Sequence, residues 1–422
     1  MARARRQPEP PLEYRILLTA TLCLLAAGAV MVYSASSARD LLAGHGDGSA
    51  YLERYLAWGA VGLVAMHVLS RRGLEAVRRA TPLLLVASFA GLLAVLIPGV
   101  GVQVNGAQRW LGAGPLQFQP SELTKLALVL YAAQVIATRP HEVRTLRGMA
   151  TPLLLVVGLA CALVGAEPDL GTALVIAFAV AALLVAGGVP LRHLATIAAV
   201  TAAVVALFAL VEPYRRARLT AFLNPWADAA GAGFQSVQGQ IALGSGGLLG
   251  VGLGQSVQKV FYLPEAHTDF ILAVIGEELG LAGVCGVLFL YGTIAYAGLR
   301  AARAATGRYA QLVAAGLTSL ILGQATLNVF AVLGLAPLTG VPLPFISYGS
   351  SNLTVLLAAM GLLLNVAAGS AARVRVVDLR GGTRRRSVRA QPSTDAQADR
   401  DRRRRDRRPR RAGAGGGRRA AG

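Results

Sequence analysis

Over the first 370 residues, long apolar stretches alternate with short polar ones, and the stretches have the length a membrane demands. A crossing takes about 20 mainly apolar residues. Ten segments approach it, near 16–34, 53–70, 81–99, 120–138, 150–166, 170–189, 193–211, 270–299, 308–335 and 350–370. The eighth is long enough to begin outside the hydrocarbon or to tilt strongly. The pattern predicts an all-α polytopic membrane protein with ten transmembrane helices. The basic N-terminus followed by an apolar run from Ile16 to Tyr33 has the look of a secretory signal. With nine spans after it, it reads as an uncleaved first helix.

Arginine in the short loops orients the bundle. Arg3, Arg5, Arg6 and Arg15 precede the first span, and Arg71, Arg72, Arg78 and Arg79 follow the second. Arg139, Arg144 and Arg147 follow the fourth, Arg192 the sixth, and Arg300, Arg303 and Arg308 the eighth. Both termini are therefore expected in the cytoplasm, with 35–52, 100–119, 167–169, 212–269 and 336–349 outside. The long outer loop 212–269, between helices seven and eight, carries Arg215, Arg216, Arg218 and Lys259. Long loops are weakly governed by the charge rule, so this leaves the orientation unchanged. Its glycines (Gly244, Gly246, Gly247, Gly250, Gly252 and Gly254) point to a re-entrant or surface-lying piece. Three regions result: a cytoplasmic N-terminus 1–15, a transmembrane domain 16–370, and a tail 371–422.

Composition changes this picture in one place. The 422 residues are 55% hydrophobic and 15% charged, with a formal charge of +20. Residues 371–422 hold 18 Arg against 5 Asp, so +13 of that charge lies in the tail. With almost no apolar content, the tail is expected to be disordered. Without interleaved aromatics or a fold motif it does not read as a nucleic-acid binder; anionic lipid headgroups are the expected contact. Cys23, Cys161 and Cys285 lie in apolar runs with no CxxC pair, and the five His lack metal-ligand spacing. No soluble catalytic domain is evident, so any chemistry falls to the bundle and its outer loops.

The ionisable groups that stand out all lie on the outer side. Residues 262–280 read YLPEAHTDFILAVIGEELG, with Glu265, His267 and Asp269 leading into an apolar run and Glu277 and Glu278 inside it. Charges in a span either face a cavity and do chemistry or transport, or pair with a buried partner. Glu122 and Lys125, spaced i, i+3, share one helix face, as a salt bridge or as part of a site. The chain has 39 Arg and only two Lys. A compact, rotatable ammonium suits a place where phosphate moves or a pKa is tuned. Arg109 and Trp110 precede this pair, Trp110 as an interfacial anchor or a stacking surface. Glu167 and Asp169 occupy the tight loop between spans five and six.

Several blocks together resemble a known family, the SEDS proteins (shape, elongation, division and sporulation), which polymerise peptidoglycan glycan strands. They are VYSASS (32–37), NGAQRWL (105–111), QPSELTKL (119–126), EPDLGTAL (167–174), FLNPWAD (222–228), ALGSGGLLGVGLGQS (242–256), YLPEAHTDF (262–270) and PLPFISYGSSNL (342–353). They occur in the family's order, and the similarity covers roughly 16–370. The wording of 262–270 is nearer the division member than the elongation member. The resemblance implies the SEDS fold and a lipid II-polymerising glycosyltransferase of septal wall synthesis. It assigns Asp269 as the residue essential for polymerisation. Trp110, Glu122, Lys125 and Asp169 fall around the same cavity. One departure is visible: Ser350 stands where the family usually has a second glycine.

That chemistry needs particular parts. The 4-hydroxyl of one lipid II must lose a proton while attacking a second, lipid-linked sugar, and a carboxylate can take it. The departing undecaprenyl diphosphate needs cations or a metal. The base is assigned to Asp269, and substrate contacts to Arg109, Trp110, Glu122, Lys125, Asp169, Glu265 and His267. Acidic residues beside a diphosphate often share Mg²⁺ or Mn²⁺, but no ligand set is spelled out. The resemblance also implies the partners: lipid II, a class B penicillin-binding protein transpeptidase and other divisome proteins, at the bacterial plasma membrane. The competing readings are a lipid II flippase or ion-coupled carrier, an elongation-type polymerase, and a non-catalytic scaffold.

Overall fold

The computed structural model describes residues 10–42, 48–104, 107–113, 116–211, 222–231, 233–260 and 262–389. The chain divides into two units, Met1–Ala371 and Ala372–Gly422.

In the first unit, helices occupy all ten apolar segments: α1 Leu12–Leu42, α2 Ala50–Arg71, α3 Leu74–Leu96, α4 Pro120–Thr138, α5 Leu146–Ala166, α6 Leu170–Gly187 and α7 Leu191–Val211, then α9 Ile271–Ala304, α10 Arg308–Val332 and α11, whose apolar part is Ser350–Gly369. A short α8, Phe234–Ser245, lies in the long loop. Among the described residues seven of these, α1, α3, α5, α6, α9, α10 and α11, are long and apolar enough to cross a membrane. Charges dilute α2 (Glu53, Arg54, Arg71) and α4 (Glu122, Lys125). The backbone of the last helix continues to Arg389, past the boundary at 371 set from composition. Ala and Arg are strong helix formers whatever their hydropathy. Residues 390–422, most of the expected disordered tail, lie outside the described residues, as do Arg215, Arg216 and Arg218.

α10 is the hub. It packs against α4, α6 and α9; α1 packs on α9 and α3 on α4. α4 is buried all round, Glu122 and Lys125 included. A helix covered on every side needs partners for its polar groups. α2 approaches α11 closely through small residues. A Cβ on Gly62 would meet Leu357 Cδ1 at 2.5 Å, and one on Gly361 would meet Met66 O at 2.5 Å.

The outer segment 100–119 holds something the apolar pattern missed, a three-stranded antiparallel meander. It is made of β1 Gly101–Val104, β2 Ala107–Ala113 and β3 Leu116–Phe118, with Val102 opposite Trp110 and Leu111 opposite Phe118. The Asn105-Gly106 dipeptide between β1 and β2 is a hairpin signal in the sequence.

α9 is broken at Gly280, whose φ is +67° and ψ −163°. Such a φ favours glycine. The part beyond the break, 281–304, runs about 36 Å at 1.5 Å per residue, enough to cross a core of about 30 Å alone. Glu277 and Glu278 thus lie in the part of α9 before the break.

Candidate active site

The segment between α10 and α11, 333–349, runs through the protein with little regular structure, and Leu343, Phe345 and Ile346 on it are buried. Proline at 342 and 344 removes two N–H donors, and the carbonyls still need partners. Four helix side chains supply them. Asn328 Nδ2 donates to Val341 O at 2.8 Å and Gln324 Nε2 to Pro342 O at 3.0 Å. Tyr291 Oη donates to Pro344 O and Tyr55 Oη to Phe345 O, each at 2.5 Å. Polar side chains inside apolar helices α2, α9 and α10 thus hold a non-helical backbone in place.

Asp269 meets this segment. It is half-buried at the end of the turn leading into α9. Asn328 Nδ2 also donates to its backbone carbonyl at 2.7 Å, and Thr268 Oγ1 lies 3.1 Å from its Oδ1. A Cβ on Gly340, where φ is +66°, would lie 3.9 Å from Oδ2. Glu265, on the same turn, has φ +56°. Its Oε2 lies 3.1 Å from Thr268 Oγ1, so the one hydroxyl proton is within reach of both carboxylates. His267 is buried in an aromatic cluster, 4.3 Å from the Tyr51 ring and 5.7 Å from Tyr348 between centroids. Tyr348 N donates to His267 O at 3.0 Å, tying the turn to the start of α11.

Glu122 and Lys125 form a buried ion pair, Nζ to Oε2 2.7 Å, with both side chains at most 3% exposed. Asn352 Nδ2 donates to the same oxygen at 2.8 Å, and Lys125 Nζ donates to Gln324 Oε1 at 3.0 Å. Gln324 therefore joins this pair to the Pro342 carbonyl. Gln119 N donates to Ser351 Oγ at 2.9 Å, and its side chain donates to Asp169 Oδ2 at 3.1 Å. Asp169 caps α6, accepting from Thr172 N at 3.0 Å. Arg109 Nε donates to Glu167 O at 2.9 Å and Nη2 to Pro168 O, fastening β2 to the α5–α6 turn. Glu167 is buried, and among the described residues neither of its carboxylate oxygens has a hydrogen-bond partner. Burial, and then the Asp169 charge, push its carboxyl up to about 8 against an opposing pull from Arg109.

Four sequence blocks, 119–126, 167–174, 262–270 and 342–353, are thus joined by named hydrogen bonds, and Arg109 ties in a fifth. A family model described as "Cell cycle protein", covering the FtsW, RodA and SpoVE proteins, matches residues 15–371. The chain belongs to the FtsW/RodA/SpoVE family. Stage V sporulation protein E of Bacillus subtilis is 39% identical, over 83% of this chain and 96% of that protein. The probable peptidoglycan glycosyltransferase FtsW of Trichlorobacter lovleyi is 41% identical, over 86% and 96%. Among solved structures, RodA of Thermus thermophilus is similar with TM-score 0.60 and 30% identity, over 83% of this chain and 95% of that one. A chain of a peptidoglycan synthase complex that coordinates polymerisation and crosslinking gives TM-score 0.69 and 32% identity, over 83% and 96%. Like these SEDS relatives, the chain is a multi-pass membrane protein built of helices.

Within this SEDS chain, the sequence missed Gln119, Gln324, Asn328, Asn352, Tyr55 and Tyr291, which hold the candidate residues. Their signal was present as polar groups inside apolar helices or, for Gln119, just before one, but a polar residue does not name its partner. Glu277 and Glu278 are buried and take hydrogen bonds from backbone and side-chain donors of the preceding loop and, for Glu278, from Ser34 on α1. Among the described residues, no three His, Cys, Asp or Glu side chains converge to hold a metal ion. Ser350, the departure from the family wording, starts α11 and donates to Gln117 O at 3.2 Å.

Proposed function

We propose that this chain is a peptidoglycan glycosyltransferase that polymerises lipid II for the division septum, releasing undecaprenyl diphosphate. The observation that carries the reading is Asp269, half-exposed and held at the junction of the family's blocks. Relatives at 37–43% identity named peptidoglycan glycosyltransferases support the reaction class.

In the proposed step, Asp269 accepts the proton of the acceptor's 4-hydroxyl. The hydroxyl oxygen bonds to the donor's anomeric carbon as the bond from that carbon to the diphosphate breaks. A single displacement of this kind turns an α-linked donor into a β-linked strand. Glu265 and His267 flank the acceptor, and Trp110 offers a ring face to a sugar. Lys125, Arg109 and the arginines at 215, 216 and 218 are the candidate cations for the departing diphosphate, Lys125 with Glu122 as its resting partner. Glu122 and Asp169 shape the wall of the same cavity. These steps use only the chain's own side chains.

The proposed topology has ten spans, both termini in the cytoplasm and Asp269 on the outer side of the plasma membrane, where lipid tails remain in the bilayer. A class B penicillin-binding protein is the proposed partner, by analogy with the similar chain in a peptidoglycan synthase complex. The basic tail is assigned to anionic headgroups or partner recruitment. An elongation role is the second reading, favoured by the likeness to RodA; depletion and complementation would separate septal from lateral wall synthesis.

The test is polymerisation of lipid II by purified protein, alone and with its transpeptidase. Asp269→Asn keeps the shape and removes the charge. It should lower polymerisation by about 10²–10⁴-fold with lipid II binding retained. A wild-type rate in a well-folded preparation would refute the assignment. Loss of lipid II binding instead would make Asp269 a substrate ligand and move the search for the base to Glu122 or Asp169.

A further inference from the structure

The segment carrying Asp269 leaves and returns to one buried polar knot. Glu278, wholly buried, lies with Oε1 2.7 Å from Lys259 Nζ. Ser34 Oγ on α1 is 2.7 Å from both Glu278 oxygens and accepts from Lys259 Nζ at 3.1 Å. Glu277 Oε1 accepts from Val257 N at 3.0 Å and Gln258 N at 3.5 Å, and Oε2 accepts from Ser256 Oγ. Residues 256–259 precede Asp269 and 277–278 follow it, so these contacts close the base of a loop around the whole PEAHTDF block.

The backbone repeats the closure one step further on. Where α9 breaks at Gly280, Val251 N and Gly252 N donate to the carbonyls of Glu277 and Glu278, each at 3.0 Å. Leu281 N and Ala282 N donate to Gly247 O at 3.0 Å and Leu248 O at 3.1 Å. The glycine-rich loop 246–254 thus fills the gap in the helix ladder. Inside the closed loop, Leu263 N donates to Gln258 O at 2.8 Å, and Thr268 N donates to Glu265 O at 3.1 Å. From Glu277 to the turn that presents Asp269, short bonded links and the buried Leu263 and Ala266 leave little slack.

We propose that Lys259 and Glu278, with Ser34 and Glu277, are positioning residues that set the place of the Asp269 carboxylate against the 340s segment. The proposal rests on Asp269 being the base. Two adjacent carboxylates and an ammonium taken out of water are a poor way to gain stability, since apolar residues of like volume often do as well or better. What the knot supplies is direction: Glu277 accepts from the loop at 256–258, while Glu278 accepts from Lys259 of that loop and from Ser34 on α1, so loop, α9 and α1 have one relative setting.

The test is a set of variants assayed for lipid II polymerisation and thermal unfolding. Lys259→Met with Glu278→Leu removes the ion pair together and leaves Glu277 with its own loop donors. It should unfold near the wild-type temperature and lower kcat about tenfold to a hundredfold, the scale of a misplaced group, with KM little changed. Ser34→Ala and Ser256→Ala keep both charges and serve if the pair replacement does not fold; each should lower kcat a few-fold. Lys259→Arg should retain more activity than Lys259→Met. Added to Asp269→Asn, the pair replacement should lower the residual rate no further, because the knot acts through that carboxylate. A folded pair replacement or serine variant with wild-type kcat would overturn the inference, as would full additivity with Asp269→Asn. If Asp269→Asn itself polymerises normally, it is the reading of the base that falls, and that result is visible without any knot variant.

Discussion

Glu167 and Asp169 are two residues apart and differ in their hydrogen bonding. Asp169 accepts from Thr172 N at the start of α6 and from the Gln119 side chain. Glu167, buried without a described hydrogen-bond partner, is held protonated up to about pH 8. The unfolded chain would release that proton near the ordinary 4.5. Between those values the folded state binds more protons, so stability falls as pH rises and the loss is complete above about 8. Glu167→Gln mimics the neutral acid. It should leave unfolding almost unchanged at pH 4 and raise the unfolding temperature at pH 9, by an effect on the order of a few kcal/mol. Thermal unfolding in detergent across that range measures it; a uniform shift at every pH would mean that the acid is not held neutral.

α9 shows what one residue does to an element. At Gly280 a Cβ would lie 2.4 Å from Gly250 N and 2.6 Å from Leu248 O, both backbone, and φ is positive. Gly280→Ala should therefore destabilise by about 2 kcal/mol or more, with strain and clash acting together. Gly292→Ala, in the same helix with open space at its Cβ, should be neutral or stabilise by about 1 kcal/mol. Denaturation of the two variants side by side checks this. The span itself was legible because hydrophobic length is a property of consecutive residues. So was the Glu122–Lys125 pair, whose i, i+3 spacing lies within one helix. The break was not, because glycine is common in membrane helices and only the approach of 246–254 makes Gly280 different. The same limit hid Asn352 and Gln324, whose meeting with Glu122 and Lys125 is decided by how α4, α10 and α11 pack. The 100–119 strands escaped for another reason: they are short, and span-length windows average over them.

For the whole molecule, the loop-arginine alternation makes a prediction about sides. Single cysteines at positions 269 and 110 should react with an impermeant thiol reagent from outside the cell, and one at 72 only after permeabilisation. Cys23 and Cys285 are exposed on helix surfaces and Cys161 is half-buried, so all three must first be replaced. Labelling at 269 from the cytoplasmic side alone would invert both the topology and the substrate side. The two buried ion pairs also give the molecule an unusual surface chemistry. Its only two lysines sit at positions 125 and 259, each at most 4% exposed and each bound to a glutamate. In the folded bundle no lysine amine is open to acylation by a succinimidyl ester. Mass-spectrometric appearance of a label would therefore time the opening of two separate places: 125 for the α4–α10 wall, 259 for the seat of the loop on α1 and α9.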